Sequence, residues 1–340
     1  MQDPILAAFI AGLPKAELHV HHVGSASPQT VAKLAQRYAG TTNVPQDPAA
    51  LRDYFAFTDF AHFVRVYLSV VGLVRDPEDI RLLTYEVAAG LAEQNVRYAE
   101  LTMTPYSHVL AGMPAGGYIE AIEDARVAAE RDFDLTLRWC FDVNGDDGVE
   151  GAESTLAIAV DHQPAGLVSF GLGGPELGVP RPQFAPVFAA ARAAGLHSVP
   201  HAGETTGPEA IWDSLRLLGA ERIGHGTSAA QDPELLRHLA EQRIALEVCP
   251  TSNLRTRVVP SLAEHPLRAF VDAGVIVTIN SDDPHMFGTT LNREYEIVSE
   301  LLTLDHHGIA NLARAAVNAS FDSEAGKRRL LAEIDDYTAN

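Results

Sequence analysis

The sequence predicts an α/β fold, a parallel (β/α)8 TIM barrel. Eight short apolar runs are typical of buried strands, and most are separated by segments rich in Ala, Leu and Glu at helical spacing. Strand and helix alternating eight times favour a closed parallel barrel over an open sheet. Histidine and acidic residues also stand at the ends of several runs, where a barrel carries its functional groups.

The strand candidates are assigned in chain order. They are Ala16–His21, Val96–Thr102, Leu135–Phe141, Leu167–Gly171, His197–His201, Arg222–His225, Ile244–Cys249 and Val275–Asn280. Helical spacing between them is clearest over Pro186–Ala194, Glu209–Leu218 and Pro233–Glu241.

The first connection is too long for one crossover helix. Residues 27–75 contain a helical segment, Pro28–Ala39, then a loop rich in Pro and Asp, then an apolar stripe. The stripe consists of Phe57, Phe60, Phe63, Val64 and Tyr67. We expect this insertion to be a helical lid over the site, and a stripe that packs on the barrel is a compatible alternative. Because no linker or internal repeat divides the chain, residues 1–340 are expected to form one domain.

Composition excludes several classes of protein. The apolar fraction is 46%, and 45 acidic against 25 basic residues give a net charge of −20, which argues against a nucleic-acid partner. No apolar run reaches the roughly 20 residues needed to span a membrane, and the N-terminus lacks a basic, signal-like region. Cys140 and Cys249 are expected to be buried thiols. We therefore expect a cytoplasmic protein without a membrane partner, and its oligomeric state is not indicated.

Histidines and carboxylates define a candidate metal site. His19 and His21 stand two residues apart in a strand, so their side chains point the same way. His201 and Asp282 end two other candidate strands. Three imidazoles and one carboxylate suit a divalent transition metal, and we expect one Zn²⁺ per chain, although ligand type alone leaves iron or another divalent ion open.

Two further acidic residues beside these candidate ligands are candidates for proton transfer and substrate binding. Glu204 follows His201 by three residues, so it can face a bound water as a proton donor or acceptor without ligating. Asp282 and Asp283 should point to opposite sides unless the chain turns between them. One would bind metal and the other substrate, with a cap for the turn at Pro284 as the alternative for Asp283.

The order of the motifs resembles the adenosine deaminase family of the amidohydrolase superfamily. The motifs are Leu18-His-Val-His21, His201-Ala-Gly-Glu204, Arg222-Ile-Gly-His-Gly226, Leu246-Glu-Val-Cys-Pro-Thr-Ser-Asn253 and Ser281-Asp-Asp-Pro284. The resemblance spans residues 13 to about 320 and implies a distorted (β/α)8 barrel that carries one zinc ion.

The resemblance also implies a role for each residue. His19, His21, His201 and Asp282 would hold the zinc and an attacking water. Glu204 would protonate N1 of a 6-aminopurine, and His225 would orient the water and stabilise its hydroxide form. Asp283 would bind N7, and the amide of Gly174, in Leu172-Gly-Gly-Pro-Glu176, would reach N3. Hydrolysis at C6 of a small purine nucleoside would then release ammonia.

One position departs from the family pattern. Adenosine and adenine deaminases of the family carry an acidic residue two positions after the second histidine, where this chain has Val23. Valine cannot pair with a buried 5′-hydroxyl, which costs roughly 1–3 kcal/mol. In this respect the chain resembles a branch of the family that converts 6-amino-6-deoxyfutalosine to futalosine in menaquinone synthesis. The keto-alkyl benzoate on the 5′ carbon of that substrate would suit Val23, Phe60 and Phe63.

The sequence leaves open the partner of the benzoate carboxylate and two alternative functions. Arg65, His22 and His62 are candidate partners for the benzoate carboxylate. An ordinary adenosine or adenine deaminase, with Val23 arising by neutral drift, is the alternative function. A non-catalytic purine sensor is the third, against which Glu204 and His225 argue, because neither is needed for binding alone.

Overall fold

Eight parallel strands form a nearly closed barrel, which confirms the expected fold. The computed structural model describes residues 4–339, so the first three residues and the last residue of the expected domain lie outside the described residues. Strands β1 to β8 pair in chain order. They run over Lys15–His21, Val96–Met103, Thr136–Asn144, Leu167–Gly173, His197–Ala202, Arg222–His225, Ala245–Val248 and Val277–Ile279.

The barrel closes between β1 and the end of β8 through a short contact. A single parallel bridge joins Val20 to Asp282. The amide of His21 donates to the carbonyl of Asp282 at 2.8 Å, and the amide of Asp282 donates to the carbonyl of His19 at 3.1 Å. Closure therefore brings the histidine pair of the first strand against the aspartate of the last.

All eight strand predictions correspond to a strand of the barrel. The sixth agrees at both ends, Arg222–His225. β3 and β4 extend further toward the site than predicted, to Asn144 and Gly173. β8 is shorter than predicted, since it begins two residues later, at Val277, and ends one residue earlier, at Ile279.

Helices surround the barrel and form its crossovers. Helices α1 to α17 run over Pro4–Gly12, Pro28–Arg37, Pro48–Tyr54, Phe60–Val71, Pro77–Glu93, Pro105–Leu110, Ala115–Asp132, Gly148–His162, Ala185–Ala193, Pro208–Asp213, Pro233–Gln242, Pro250–Arg255, Leu267–Asp272, Pro284–Phe287, Leu291–Leu302, His306–Ala319 and Glu324–Ala339. Many begin with proline, whose fixed φ and missing N–H suit the first turn of a helix. The predicted helix Glu209–Leu218 divides into α10 and a π-helical turn, Ser214–Leu218.

The insertion after β1 is helical, as expected, and consists of α2, α3 and α4. The side chain of Ser27 caps α2 by accepting the Thr30 amide at 3.1 Å. Four members of the apolar stripe lie on α4, whereas Phe57 precedes the helix, which begins at Phe60. The stripe faces the barrel, since the ring of Phe63 lies 4.9 Å from that of Phe287 on α14. Packing on the barrel is thus observed, and closure as a lid remains a prediction.

The core is built mainly of apolar side chains, and it also encloses charged ones such as Glu100 and Arg222. Large side chains such as Trp139, Phe141 and Phe170 are fully buried. Cys140 and Cys249 are buried free thiols, as expected. Within residues 4–339, no helix combines the length and apolarity needed to cross a bilayer.

Candidate active site

Four side chains from three strand ends meet at the top of the barrel. Nε2 of His21 lies 3.3 Å from Nε2 of His201 and 3.2 Å from Oδ1 of Asp282. Nε2 of His19 lies 3.5 Å from the same Oδ1. Tetrahedral ligands about 2.1 Å from a zinc ion are about 3.4 Å apart, so these spacings match a shared cation.

The hydrogen bonding of these residues also fits a metal. Nε2 of His19 is buried and has no hydrogen-bond partner among the described residues. Two imidazole nitrogens that face each other, as in His21 and His201, repel unless a proton or a cation lies between them. His225, Cys249 and Asp283 also have a potential ligand atom within 4.8 Å of members of this cluster. The cluster is therefore a candidate metal centre whose ligand set is taken up below as a proposal.

A chain of buried charges orients His19. Nδ1 of His19 donates to Oε2 of Glu247 at 2.9 Å, and Oε1 of Glu247 accepts from Nε of Arg222 at 2.6 Å. Arg222 also pairs with Glu100 at the base of the barrel. Because Glu247 can only accept, Nδ1 of His19 carries the hydrogen and Nε2 presents its lone pair to the cluster.

The chain turns at Asp282, which sequence reasoning left undecided. Asp282 has φ of 63°, a left-handed conformation that is uncommon for residues other than glycine. Both Asp282 and Asp283 consequently face the site, and their carboxylates cluster with His21. The hydroxyl of Ser252 donates to Oδ2 of Asp282 at 2.6 Å, which leaves Oδ1 for the histidines.

Asp283 sits against a glycine that no other residue could replace without movement. A Cβ built on Gly24 would lie 1.6 Å from Oδ1 of Asp283. Burial, together with the neighbouring charge of Asp282, raises the pKa of Asp283. A carboxyl with a raised pKa can carry a proton and donate it to a hydrogen-bond acceptor.

Glu204 occupies the loop beyond β5, beside the cluster. Burial, followed by the charges of Asp282 and Glu176, raises the pKa of Glu204 to about 8. Its loop is held by Glu176, whose carboxylate accepts from the backbone N–H groups of Gly203 at 2.6 Å, Thr205 at 2.6 Å and Thr206 at 3.0 Å. Glu204 is thus a positioned carboxyl that holds its proton near neutral pH.

His225 faces Glu204 across the cluster. Its Nε2 lies 3.7 Å from Oε2 of Glu204, and its Nδ1 lies 3.2 Å from the amide nitrogen of Asn253. Burial lowers the pKa of His225 to about 3, so the ring is neutral. Its φ of 60° places a second left-handed residue in the site, a conformation that costs of order 1–3 kcal/mol.

A cavity of about 1050 Å³, part of it open to solvent, lies over these residues. Its polar floor includes His21, His201, Glu204, His225, Asp282 and Asp283. Its other wall includes Val23, Phe60 and Phe63, and Gly174 lies at its edge. Among the expected site residues, His19 alone is absent from the lining; it is buried, with its ring 4.5 Å from that of His201 and 4.8 Å from that of His225.

The cavity offers no cation for a carboxylate. No Lys or Arg lines it in the described chain, and Arg65 and His62 lie outside its lining. His22 lines it, but Thr84 donates its hydroxyl to the Ile80 carbonyl and so accepts the Nε2–H of His22 at 2.9 Å. Burial lowers the pKa of His22 to about 3, so this ring is neutral as well.

Sequence reasoning missed several polar residues of the site. Asp142, at the end of β3, is buried and lines the cavity, and its Oδ1 has no described partner. Burial raises the pKa of Asp142 to about 7. Its position at the carboxyl end of a barrel strand was the available signal. Glu247 and Asn253 stood within a recognised motif, but their hydrogen bonds required the fold.

Known proteins with similar sequences share this architecture. Residues 14–337 match the adenosine deaminase family. The chain is 66% identical over 336 residues to an aminodeoxyfutalosine deaminase of Streptomyces avermitilis, across 98% of this chain and 94% of that protein. It is 40% identical over 337 residues to an adenine deaminase of Cupriavidus necator, across 98% and 95%.

A solved structure agrees with the sequence match. The crystal structure of an adenine deaminase from Arthrobacter aurescens superposes with a TM-score of 0.92 at 30% identity, over 97% of this chain and all of that one. Sequence and fold thus agree over nearly the whole chain. This chain belongs to the adenosine deaminase family.

Proposed function

We propose that this chain hydrolyses the 6-amino group of 6-amino-6-deoxyfutalosine to give futalosine and ammonia. The observation that carries the proposal is the placement of apolar Val23 in the wall of the same cavity whose floor holds the histidine and carboxylate cluster. The floor suits hydrolysis of an aminopurine. The wall suits a nucleoside whose 5′ end has no hydroxyl to satisfy.

In this proposal His19, His21, His201 and Asp282 hold one zinc ion. The ligand spacings and the uncommitted Nε2 of His19 support that set. A zinc ion in such a site supplies Lewis acidity that lowers the pKa of a coordinated water to about 7. The carboxylate of Glu247 holds His19 in the tautomer that such a ligand requires.

The remaining residues orient the purine and move its protons. Glu204 donates a proton to ring N1, which makes C6 electrophilic, and its raised pKa supplies that proton near neutral pH. Protonated Asp283 donates to N7, and the amide of Gly174 donates to N3. His225 donates to the oxygen that adds to C6. The C6–N bond then breaks. One proton of the attacking water leaves with the amino group as ammonia, and the other restores the proton that Glu204 gave to N1.

The choice of substrate rests on the wall of the cavity and on the relatives. Phe60 and Phe63 of α4 continue the apolar surface that begins at Val23, and an aryl-keto substituent fills such a surface better than a hydroxyl. The 66% identical protein is an aminodeoxyfutalosine deaminase. Because no Lys or Arg among residues 4–339 lines the cavity, we propose that the benzoate carboxylate extends to its solvent-facing mouth.

Further features of the proposal concern the whole chain. We propose that α2 to α4 act as a helical lid on a single barrel domain, and that the reaction serves menaquinone synthesis in the cytoplasm. The buried free thiols Cys140 and Cys249 are in keeping with a reducing compartment.

Adenosine or adenine deamination is the second candidate function. The adenine deaminase of Cupriavidus necator, at 40% identity, favours it, and an ordinary purine would occupy the same polar floor. The presence of Val23 opposes adenosine as the substrate, because a buried ribose hydroxyl would lack an acceptor there. Adenine has no ribose, so Val23 does not disfavour it, and the assay below compares it directly with the other substrates.

A parallel assay tests the proposal. Purified protein reconstituted with zinc is given 6-amino-6-deoxyfutalosine, adenosine and adenine, and the absorbance change on deamination is followed. We expect kcat/KM for the first substrate to exceed the others by at least about 100-fold, of the order that an unpaired buried polar group enforces. Equal or faster turnover of adenosine or adenine would establish the second candidate, and no turnover of any aminopurine would favour a non-catalytic sensor.

A further inference from the structure

A buried hydrogen-bond chain leads from the backbone of α13 to the site. Nδ1 of His265 accepts the backbone N–H of Leu267 at 3.1 Å. A backbone amide can only donate, so Nδ1 of His265 carries a lone pair. Burial lowers the pKa of His265 to about 4, so the ring is neutral and its hydrogen is on Nε2.

The direction of each later bond follows from the first. Nε2–H of His265 donates to Oδ1 of Asn253 at 3.1 Å. The hydroxyl of Thr227 lies 3.5 Å from the same oxygen. With Oδ1 on His265, the amide nitrogen of Asn253 points at Nδ1 of His225, 3.2 Å away, and donates to it.

The last hydrogen bond of this series fixes the tautomer of His225. Nδ1 of His225 is an acceptor, so the hydrogen of the neutral ring is on Nε2. That nitrogen faces Oε2 of Glu204 at 3.7 Å and Oδ2 of Asp282 at 3.8 Å. The opposite tautomer would set an imidazole lone pair against the carboxylate of Asp282, which is unfavourable in a buried site.

We propose that Asn253 and His265 are positioning residues that hold His225 as its Nε2–H tautomer, so that His225 acts as a hydrogen-bond donor to the oxygen nucleophile and not as a base. The inference deepens the function proposed above and rests on it for the identity of the nucleophile. The three residues are almost fully buried, with relative exposures of 0% for Asn253, 7% for His265 and 2% for His225.

Replacement of Asn253 by Asp reverses the direction of the hydrogen bond to His225, with little change in side-chain volume. A carboxylate accepts from His265 as before, but it cannot donate, so Nδ1 of His225 must take up a hydrogen. We expect kcat to fall about 100-fold, at an unchanged zinc content and with KM altered less than kcat, which is the order of loss when one hydrogen-bond donor to a reacting oxygen is removed.

The tautomer itself is read by ¹⁵N NMR of histidine-labelled protein. The His225 signals are assigned from the spectrum of H225Q. In the parent protein we expect a hydrogen on Nε2 and none on Nδ1, and in N253D a hydrogen on Nδ1. A parent spectrum with the hydrogen on Nδ1 would overturn the proposal, as would N253D with kcat within threefold of the parent.

Two variants at His265 test the proposal independently, in case N253D does not fold. The amide of H265Q can still donate to Asn253, whereas H265L cannot. We expect H265Q to keep most of the activity and the parent tautomer, and H265L to lose about tenfold in kcat. Equal kcat and tautomer in the two variants would refute the proposal. An inactive parent that nevertheless shows the Nε2–H tautomer would reject the proposed substrate while leaving the tautomer assignment in place.

Discussion

The carboxylate of Glu247 lies 2.9 Å from Nδ1 of His19 and 2.6 Å from Nε of Arg222, so one buried carboxylate joins an imidazole of the candidate metal centre to a fixed cation. Arg222 is itself held by Glu100 and by the ring of Phe321, whose centroid is 3.9 Å from the guanidinium carbon. The upper and lower parts of the barrel interior are therefore electrostatically connected. The orientation of His19 depends on residues far below the cavity.

Replacing Glu247 with Gln should weaken metal binding. An amide that turns its oxygen to His19 turns its N–H₂ toward Arg222, so one hydrogen bond is lost in either orientation. We expect zinc affinity to fall about 10- to 100-fold, as measured by competition with a chromophoric chelator. Glu221→Gln is the matched control, since Glu221 also accepts from a histidine, His197, at 2.9 Å, but on the surface. Equal zinc affinity of the two variants would contradict this account of Glu247.

Replacing Glu204 with Gln should remove the proton donor but not the metal. General acid catalysis contributes about 10²- to 10⁴-fold, and we expect kcat to fall within that range while the zinc content stays at the parental value. Ammonia release and metal analysis on the same sample provide the measurement. A variant that keeps more than a tenth of the parental kcat would assign the proton to another group.

The activity should fall on the alkaline side of the pH profile. Burial raises the pKa of Glu204 to about 8, so the carboxyl carries its proton below that pH and loses it above. Because only the protonated form donates to N1, kcat/KM declines as the pH rises through the pKa of Glu204. A bound cation stabilises the carboxylate and moves this midpoint lower. An activity that rises steadily beyond pH 9 would be incompatible with this role.

Val23 should control the choice of nucleoside. Val23→Asp places an acceptor in the cavity wall, and we expect kcat/KM for adenosine to rise about tenfold, the lower part of the 1–3 kcal/mol that a satisfied buried hydroxyl is worth. Turnover of 6-amino-6-deoxyfutalosine should fall in the same variant. Val23→Asn offers an acceptor without a buried charge, in case the aspartate impairs folding. Unchanged adenosine turnover in both variants would indicate that Val23 does not face the 5′ end.

Gly24 should be essential for the placement of Asp283. A methyl group at Gly24 would lie 1.6 Å from Oδ1 of Asp283, so Gly24→Ala must displace that carboxyl. We expect kcat/KM to fall at least about tenfold, one lost hydrogen bond to substrate. Gly90→Ala on α5 is the control, since a Cβ there meets nothing within 4 Å, and it should raise the free energy of unfolding by about 0.5–1 kcal/mol. Normal kinetics in Gly24→Ala would show that Asp283 does not bind the purine.

The fold and the histidine–carboxylate cluster were accessible from sequence because they depend on local patterns. Strand candidates such as Arg222–His225 are short apolar runs, and parallel strands in a barrel place their carboxyl ends on one rim. His19 and His21 share a face because strand side chains alternate. Their meeting with His201 and Asp282 followed from topology alone.

Other features depend on contacts that no pattern encodes. The sequence Asp282-Asp283 does not predict the φ of 63° at Asp282, which turns both carboxyl groups toward the site. This conformation goes with the closure of the barrel, in which Asp282 pairs with Val20 of β1. The neutral, Thr84-bound state of His22 likewise depends on a helix 62 residues away in the chain.

The amino-acid sequence by itself determined the barrel, the ligand types and the apolar residue at position 23, because periodicity and residue chemistry are local properties of the chain. Only the tertiary structure decided which nitrogen of each histidine carries a hydrogen. That choice depends on donors and acceptors such as Glu247 for His19, and Asn253 with His265 for His225. These partners lie far from their histidines in sequence, and their hydrogen bonds have a direction only once the fold has brought them together.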